Sequence, residues 1–265
     1  MKLLFSEHKS DYGHYVFPYA IWAFPEARET PADLFGHGFL PSSRDLDRFY
    51  LCRQVRVHLR DYRPSSENRR VLRKCGGITV KLVPRAEFDY TPARRSFCKA
   101  YADVRFGHDV MTEARLDALF GAPITSHVLV FTDSANGAEA GVATLFLEPR
   151  AMAYYYYAFY NLAYYERNLG MYMMTSAAGF FAERGFDFLY LGTCYRPNAL
   201  YKTQFSGAQF FNGNCWSPNL DELKYLIRRD QEHPHQHLLE TEEYCRLFHD
   251  GSVAPLVEAS AFTVK

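Results

Sequence analysis

Residues 151–192, AMAYYYYAFYNLAYYERNLGMYMMTSAAGFFAERGFDFLYLG, read as strand, helix and strand in succession. The opening AMAYYYYAFYN is short and uncapped for a helix, whereas Tyr and Phe suit the pleated surface of a sheet, so it predicts a strand. LGMYMMTSAAGFFAER (169–184) has a small and an apolar face, and Gly185 follows it where a left-handed stop is expected, which predicts a helix. FDFLYLG (186–192) is almost wholly apolar, the pattern of a strand deep inside a sheet. On this reading Phe186 and Phe188 belong to the sheet core.

Upstream, ITVKLVP (78–84) alternates and is β-branched, predicting a strand, and a helical stretch follows over 91–105. MTEARLDALFG fits a second helix ended by Gly121. SHVLVFT and EAGVATLFL flank a loop containing Asn136-Gly137 and read as a hairpin. Together with 151–161 they predict three neighbouring antiparallel strands, and the whole an α+β fold: a mixed, mainly antiparallel sheet covered by helices. Downstream, a helix is expected to begin within 198–205, a better one at NLDELKYLIRRD, and a last one over 237–249.

Residues 1–50 show no sustained periodicity apart from a short helix at PADLFGHG, and predict an irregular N-terminal lobe. The basic run 53–74 contains VRVHL, which alternates like a strand, and SSENRRVLRK, with Ser66 available to cap a helix. The expected division is an N-terminal lobe with the basic segment over 1–75 and a catalytic-type domain over 76–265.

The 265 residues carry 30 basic and 30 acidic side chains, so no global charge demands a polyanionic partner and local clustering must supply any. Six cysteines are scattered singly, with no CxxC pair and no secretory leader, which predicts a reduced, cytoplasmic setting. MKLLF is broken by His8, Lys9, Asp11 and His14 well short of a membrane span.

Chemistry concentrates at Arg167-Asn168-Leu169-Gly170-Met171-Tyr172. A turn from strand to helix presents unsatisfied backbone N–H groups and a positive helix end, suited to a phosphate or a developing oxyanion. Gly170 permits close approach to the backbone. The turn partly matches the pyrophosphate loop Q/R-x-x-G-x-G/A of GNAT acyltransferases, with Tyr172 in the last small position.

The run RNLGMYMMTSAAGFFAERGFDFLYLGTCYRPNALYKTQF resembles the C-terminal half of arginyl-tRNA–protein transferases and their leucyl-transferring relatives, patterned R-S-L-G-x-Y, then Y-L-G-Y-W, then Y-K-x-x-F. Arg167, Leu169, Gly170, Tyr172, Tyr190, Leu191, Gly192, Tyr201, Lys202 and Phe205 match. VRVHLRDYRPSSENRRVLRK resembles the family's R-V/I, F-x-P-S and Q-R-R block through Arg56, Val57, Tyr62, Pro64, Ser65, Arg69 and Arg70. The resemblance covers about 50–216 and implies a GNAT-like fold. It departs from the family where Asn161 stands for an acidic residue, Cys194 for a tryptophan, and Gly207 and Gln209 for part of R-P-x-E. Cysteines expected near the start are absent except Cys52, so no iron–sulfur cluster is expected.

The resemblance implies transfer of an amino acid from aminoacyl-tRNA to the α-amine of a protein or peptide, without metal or cofactor. Tyr190, Tyr201 or Glu166 would deprotonate the amine, and Lys202 would polarise the ester or bind the terminal adenosine. Arg167, Leu169, Gly170, Tyr172, Asn161, Gly192 and Phe205 would hold the substrate, and Arg56, Arg69, Arg70, Arg73 and Lys74 the tRNA phosphates. An acyl-CoA-dependent N-acyltransferase uses the same loop without tRNA, and a non-catalytic binding module on the same fold is a third reading. The loop His233-Pro234-His235-Gln236-His237 reads as simply exposed, and Cys194 as a buried structural thiol.

Overall fold

The computed structural model describes residues 1–262. In chain order its elements are β1 (Lys2–Glu7), β2 (Tyr19–Phe24), α1 (Pro31–Gly36), β3 (Phe39–Pro41), β4 (Phe49–Leu51), β5 (Gln54–His58), α2 (Ser66–Lys74), β6 (Ile78–Pro84), α3 (Pro92–Arg105) and α4 (Glu113–Gly121). They continue with β7 (His127–Asp133), β8 (Glu139–Glu148), β9 (Met152–Tyr160), α5 (Leu169–Glu183), β10 (Phe188–Thr193), β11 (Ala208–Phe211), β12 (Trp216–Ser217), α6 (Leu220–Glu232), α7 (Glu242–Phe248) and α8 (Ala254–Ala259). The α+β class expected from the sequence is the class observed.

The chain divides into two compact units. One comprises Met1–Arg56, Thr193–Gln204 and the chain from Ala208; the other comprises Val57–Gly192 and Phe205–Gly207. In the second, the strand order is β10-β9-β8-β7-β6. β7 to β9 pair antiparallel with neighbours in sequence, as expected for the three strands around the Asn136-Gly137 loop, and β6 adds a fourth beside β7. β10 instead pairs parallel with β9, which requires a crossover, and α5 supplies it. That parallel register runs only from Phe188↔Met152 to Tyr190↔Tyr154 and then ends, although β9 continues to Tyr160.

β8 is buried continuously from Ala140 to Leu145, so both its faces are covered, which explains an apolar run without alternation. α5 buries Leu169, Tyr172, Met173, Met174, Thr175, Ala177, Ala178 and Phe181. Its close approach is fixed by Gly141, where a Cβ would lie 2.9 Å from Met173 Sδ. Gly185, at φ 71°, follows the helix where the sequence placed its stop.

In the first unit, the stretch without periodicity contains four short strands in the order β1-β2-β4-β3. Every residue of β1 is exposed, so no half-buried alternation exists to be read. β11 and β12 pair antiparallel, with β11 beside β5. The helix expected over 237–249 is shorter: a 3-10 turn at Leu238–Glu240 and α7 replace it. The helix expected within 198–205 is a 3-10 turn, Pro197–Thr203. α2 is capped by Ser65, not Ser66, through its hydroxyl and the Asn68 N–H, 3.1 Å. No helix among the described residues is long and apolar enough to cross a membrane.

Candidate functional site

In the second unit, β9 runs into a 3-10 turn, Leu162–Arg167, capped by Asn161, whose Oδ1 accepts the Ala163 N–H at 3.0 Å. Asn168 then turns the chain at φ 58°, ψ 40°, a left-handed conformation that Asn tolerates better than most residues. Its side chain makes no capping bond, so the first N–H groups of α5, at Leu169, Gly170 and Met171, are left to a ligand or water. With the dipole of a 15-residue helix behind them, these donors favour a negative oxygen. Gly170 lies against the Tyr160 ring: a Cβ there would meet Cε1 at 2.9 Å. Leu169 is fully buried, and Tyr172 is buried with its hydroxyl donating to the Ile78 carbonyl at 2.6 Å. Both hold the helix start in place.

Arg167 faces the end of α2. Its guanidinium donates to the Lys74 and Gly76 carbonyls, both at 3.4 Å, lies 5.2 Å over the Tyr164 ring and 3.6 Å from Asp133. Lys74 Nζ donates in turn to the Glu166 carbonyl, and Cys75 Sγ to the Arg167 carbonyl at 3.1 Å. The Glu166 side chain is exposed on this turn. Asp133, missed in the sequence, takes the Ala135 N–H and the Tyr164 hydroxyl, 2.8 Å, and these hold its carboxyl below the usual range. The signal was available only as the start of the Asn136-Gly137 loop, which gives no hint of the distant Tyr164.

α2 buries Asn68 and Val71 and exposes Arg69, Arg70, Arg73 and Lys74, which helical spacing puts on one side. Arg70 is paired with Glu67 through two bonds, 2.7 and 2.6 Å, while Arg73 has no polar partner among the described residues. Of the expected phosphate-binding residues, Lys74 bonds the expected substrate turn, and Arg69, Arg70 and Arg73 lie on the same helix. Arg56 does not belong with them. It is buried in the first unit, with its Nε on Gln209 at 2.8 Å and its guanidinium 3.8 Å above Trp216.

Tyr190, the last residue of the parallel register, is 2% exposed, which withdraws it from bulk solvent. Gly192 follows at φ 81°, a conformation glycine takes without strain. Phe205 is buried against Tyr62, ring centroids 6.2 Å apart. In the first unit, Lys202 Nζ donates to the Thr193 carbonyl at 2.8 Å, and burial lowers the pKa of its amine. Burial likewise raises the Cys194 thiol, which keeps it a poor nucleophile. Tyr201, beside Lys202, is 44% exposed. A separate cleft of the second unit, lined by Tyr90, Pro92, Arg95, Asp117 and Phe120, contains none of the residues singled out in the sequence.

No family model matches the sequence, and no curated protein matches it. Among solved structures, the chain is similar to a C-terminal domain assigned to a lysylphosphatidylglycerol synthetase of Agrobacterium fabrum, at 15% identity and TM-score 0.40, over 53% of this chain and 46% of that one. It is similar to L-PGS from Bacillus licheniformis at 10% identity and TM-score 0.40, over 67% and 64%. A third similar structure is FemX, at 11% identity and TM-score 0.40, over 54% and 53%. The chain thus spans less than two thirds of each.

Proposed function

We propose that this chain is an aminoacyl-tRNA-dependent transferase that moves an amino acid to the α-amine of a protein or peptide. The observation that carries the reading is the bonding of α2, with its exposed Arg69, Arg73 and Lys74, to the Glu166-Arg167 turn that opens onto the uncapped start of α5. Phosphates of a tRNA acceptor end lie along the cationic side of α2, and the ester carbonyl meets the N–H groups of Leu169, Gly170 and Met171.

Aminoacyl-tRNA is an activated ester, so the reaction needs an amine held at the carbonyl, loss of one proton and a stabilised oxyanion. An α-amine has a reference pKa of about 8, so a weak base suffices at neutral pH. Glu166 is exposed enough to take that proton from an incoming peptide, whereas buried Tyr190 is better placed as lining. Asn161 in place of the family's acid favours a donor amino acid other than arginine.

An acyl-CoA-dependent N-acyltransferase would use the same uncapped helix start for a pyrophosphate, and would have no use for α2. The deciding experiment incubates the protein with charged total tRNA and a peptide library, reads peptide masses, and repeats the assay with acetyl-CoA as sole donor. A tRNA-dependent gain of one amino-acid residue supports the proposal. Transfer from acetyl-CoA alone supports the second reading, and no transfer from either refutes both.

A further inference from the structure

Two loops of the first unit bring Asp11, His14 and His235 together. Asp11 and Val16 exchange backbone hydrogen bonds of 2.8 and 2.9 Å, closing a tight turn that passes through Tyr15 at φ 58°. Inside it, the His14 N–H donates to Asp11 Oδ1 at 3.3 Å, and His14 Nδ1 lies 2.8 Å from Asp11 Oδ2. His235 arrives from the loop after α6. That loop is fixed by the His233 N–H on the Arg229 carbonyl, 2.8 Å, and by the buried Arg229 guanidinium on the Gln236 carbonyl. His235 Nδ1 stands 3.3 Å from the same Asp11 Oδ2, and its ring stacks on His14 at 4.2 Å.

Two imidazole nitrogens and a carboxylate oxygen, all within 4.8 Å of one another, form the donor set of a borderline divalent cation such as zinc. Tetrahedral bonds of roughly 2.0–2.1 Å place donors about 3.3 Å apart, close to the separations of both histidines from Asp11. We propose that Asp11, His14 and His235 bind one such ion, with water at the remaining position on the exposed side. In-plane lone pairs of two near-parallel rings do not converge on one ion, so binding rotates the two half-exposed rings about χ2 until they do. The ion ties the loop after β1 to the loop after α6 and is independent of the transferase reading.

The test titrates chelator-treated full-length protein with Co2+ and with Zn2+, following the cobalt d–d absorption and isothermal heat. The expected result is one equivalent per chain with a tetrahedral cobalt spectrum, and at least tenfold weaker binding in His14→Ala and in His235→Ala. Both substitutions are at exposed positions, and circular dichroism checks that each variant is folded. Unchanged affinity in the two variants, a thiolate-to-cobalt charge-transfer band marking a cysteine site, or no stoichiometric binding would each overturn the proposal.

Discussion

Gly170→Ala tests the placement of the reacting carbonyl. The new Cβ would lie 2.9 Å from Tyr160 Cε1 and 3.3 Å from its Cζ and hydroxyl oxygen. Tyr160 is 7% exposed and packs tilted against Tyr101, ring centroids 4.7 Å apart, so its ring has little room to yield. Overpacking of this size costs about 1–3 kcal/mol, and replacing a helical glycine by alanine returns about 1 kcal/mol, leaving a net loss of about 0–2 kcal/mol. The relief is a shift of the first turn of α5, which moves N–H donors that must meet a developing oxyanion within a few tenths of an ångström. Displacing one such donor costs about 100-fold or more in rate. The variant is therefore expected to fold with a slightly lowered urea midpoint and to transfer about 100-fold more slowly in a single-turnover assay with charged tRNA. Adding Tyr160→Leu, which vacates the clashing atoms, should restore part of the rate. Parent-like transfer by a folded Gly170→Ala protein would refute the assignment of this turn as the oxyanion site.

On α2, Arg69→Ala and Arg73→Ala should weaken tRNA binding with little effect on stability. Each should flatten the slope of log affinity against log salt by about 0.7–0.9; an unchanged slope removes that residue from the interface. Tyr62 has a buried hydroxyl without a partner among the described residues, so Tyr62→Phe should leave stability unchanged or raise it by about 1 kcal/mol in urea unfolding. Burial pushes Tyr62 up to about 12, so its share of stability is complete below the unfolded value near pH 10 and is lost as pH rises toward 12. Urea midpoints over pH 8–11.5 should fall in the parent by at most about 1.4 kcal/mol per unit from this group, and less steeply in Tyr62→Phe. Glu222, 2% exposed, accepts from Asn212 at 3.0 Å, Ser217 at 2.6 Å and Tyr244 at 2.8 Å. Glu222→Ala strands those three donors and should cost about 3–5 kcal/mol by denaturant unfolding; a loss under about 1 kcal/mol would show that the network relaxes or hydrates.

The elements legible in the sequence were those with one strong period or one clear stop. Val128 to Phe131 with the Asn136-Gly137 loop and the helix ending at Gly185 are such cases, since local burial dictates their pattern. β1 and β2 carried no such signal because Leu4, Phe5 and Tyr19 are exposed apolar residues on a thinly covered sheet. At the candidate site, Arg167, Gly170 and Tyr172 were legible through their spacing. The Arg167 partners were not: Asp133 and the Lys74 carbonyl are brought to it by pairing and packing over long sequence separations. The same reason hid the approach of His235 to Asp11. Arg56 illustrates the converse, a basic residue inside a charge run whose aromatic cover, Trp216, lies 160 positions away by number.

The unit built from Met1–Arg56 and the chain from Ala208 has a consequence for synthesis at the ribosome. β11, which lies beside β5, and Trp216, which bonds the Gly36 carbonyl at 2.7 Å and covers Arg56, emerge long after the strands they complete. Meanwhile the residues from Val57 to Gly192 are already out and hold nearly the whole of the other unit. Until then the edge of β5 that β11 covers has no strand beside it, which makes elongation across 57–207 the stage at which that edge is open to pairing with a neighbour's.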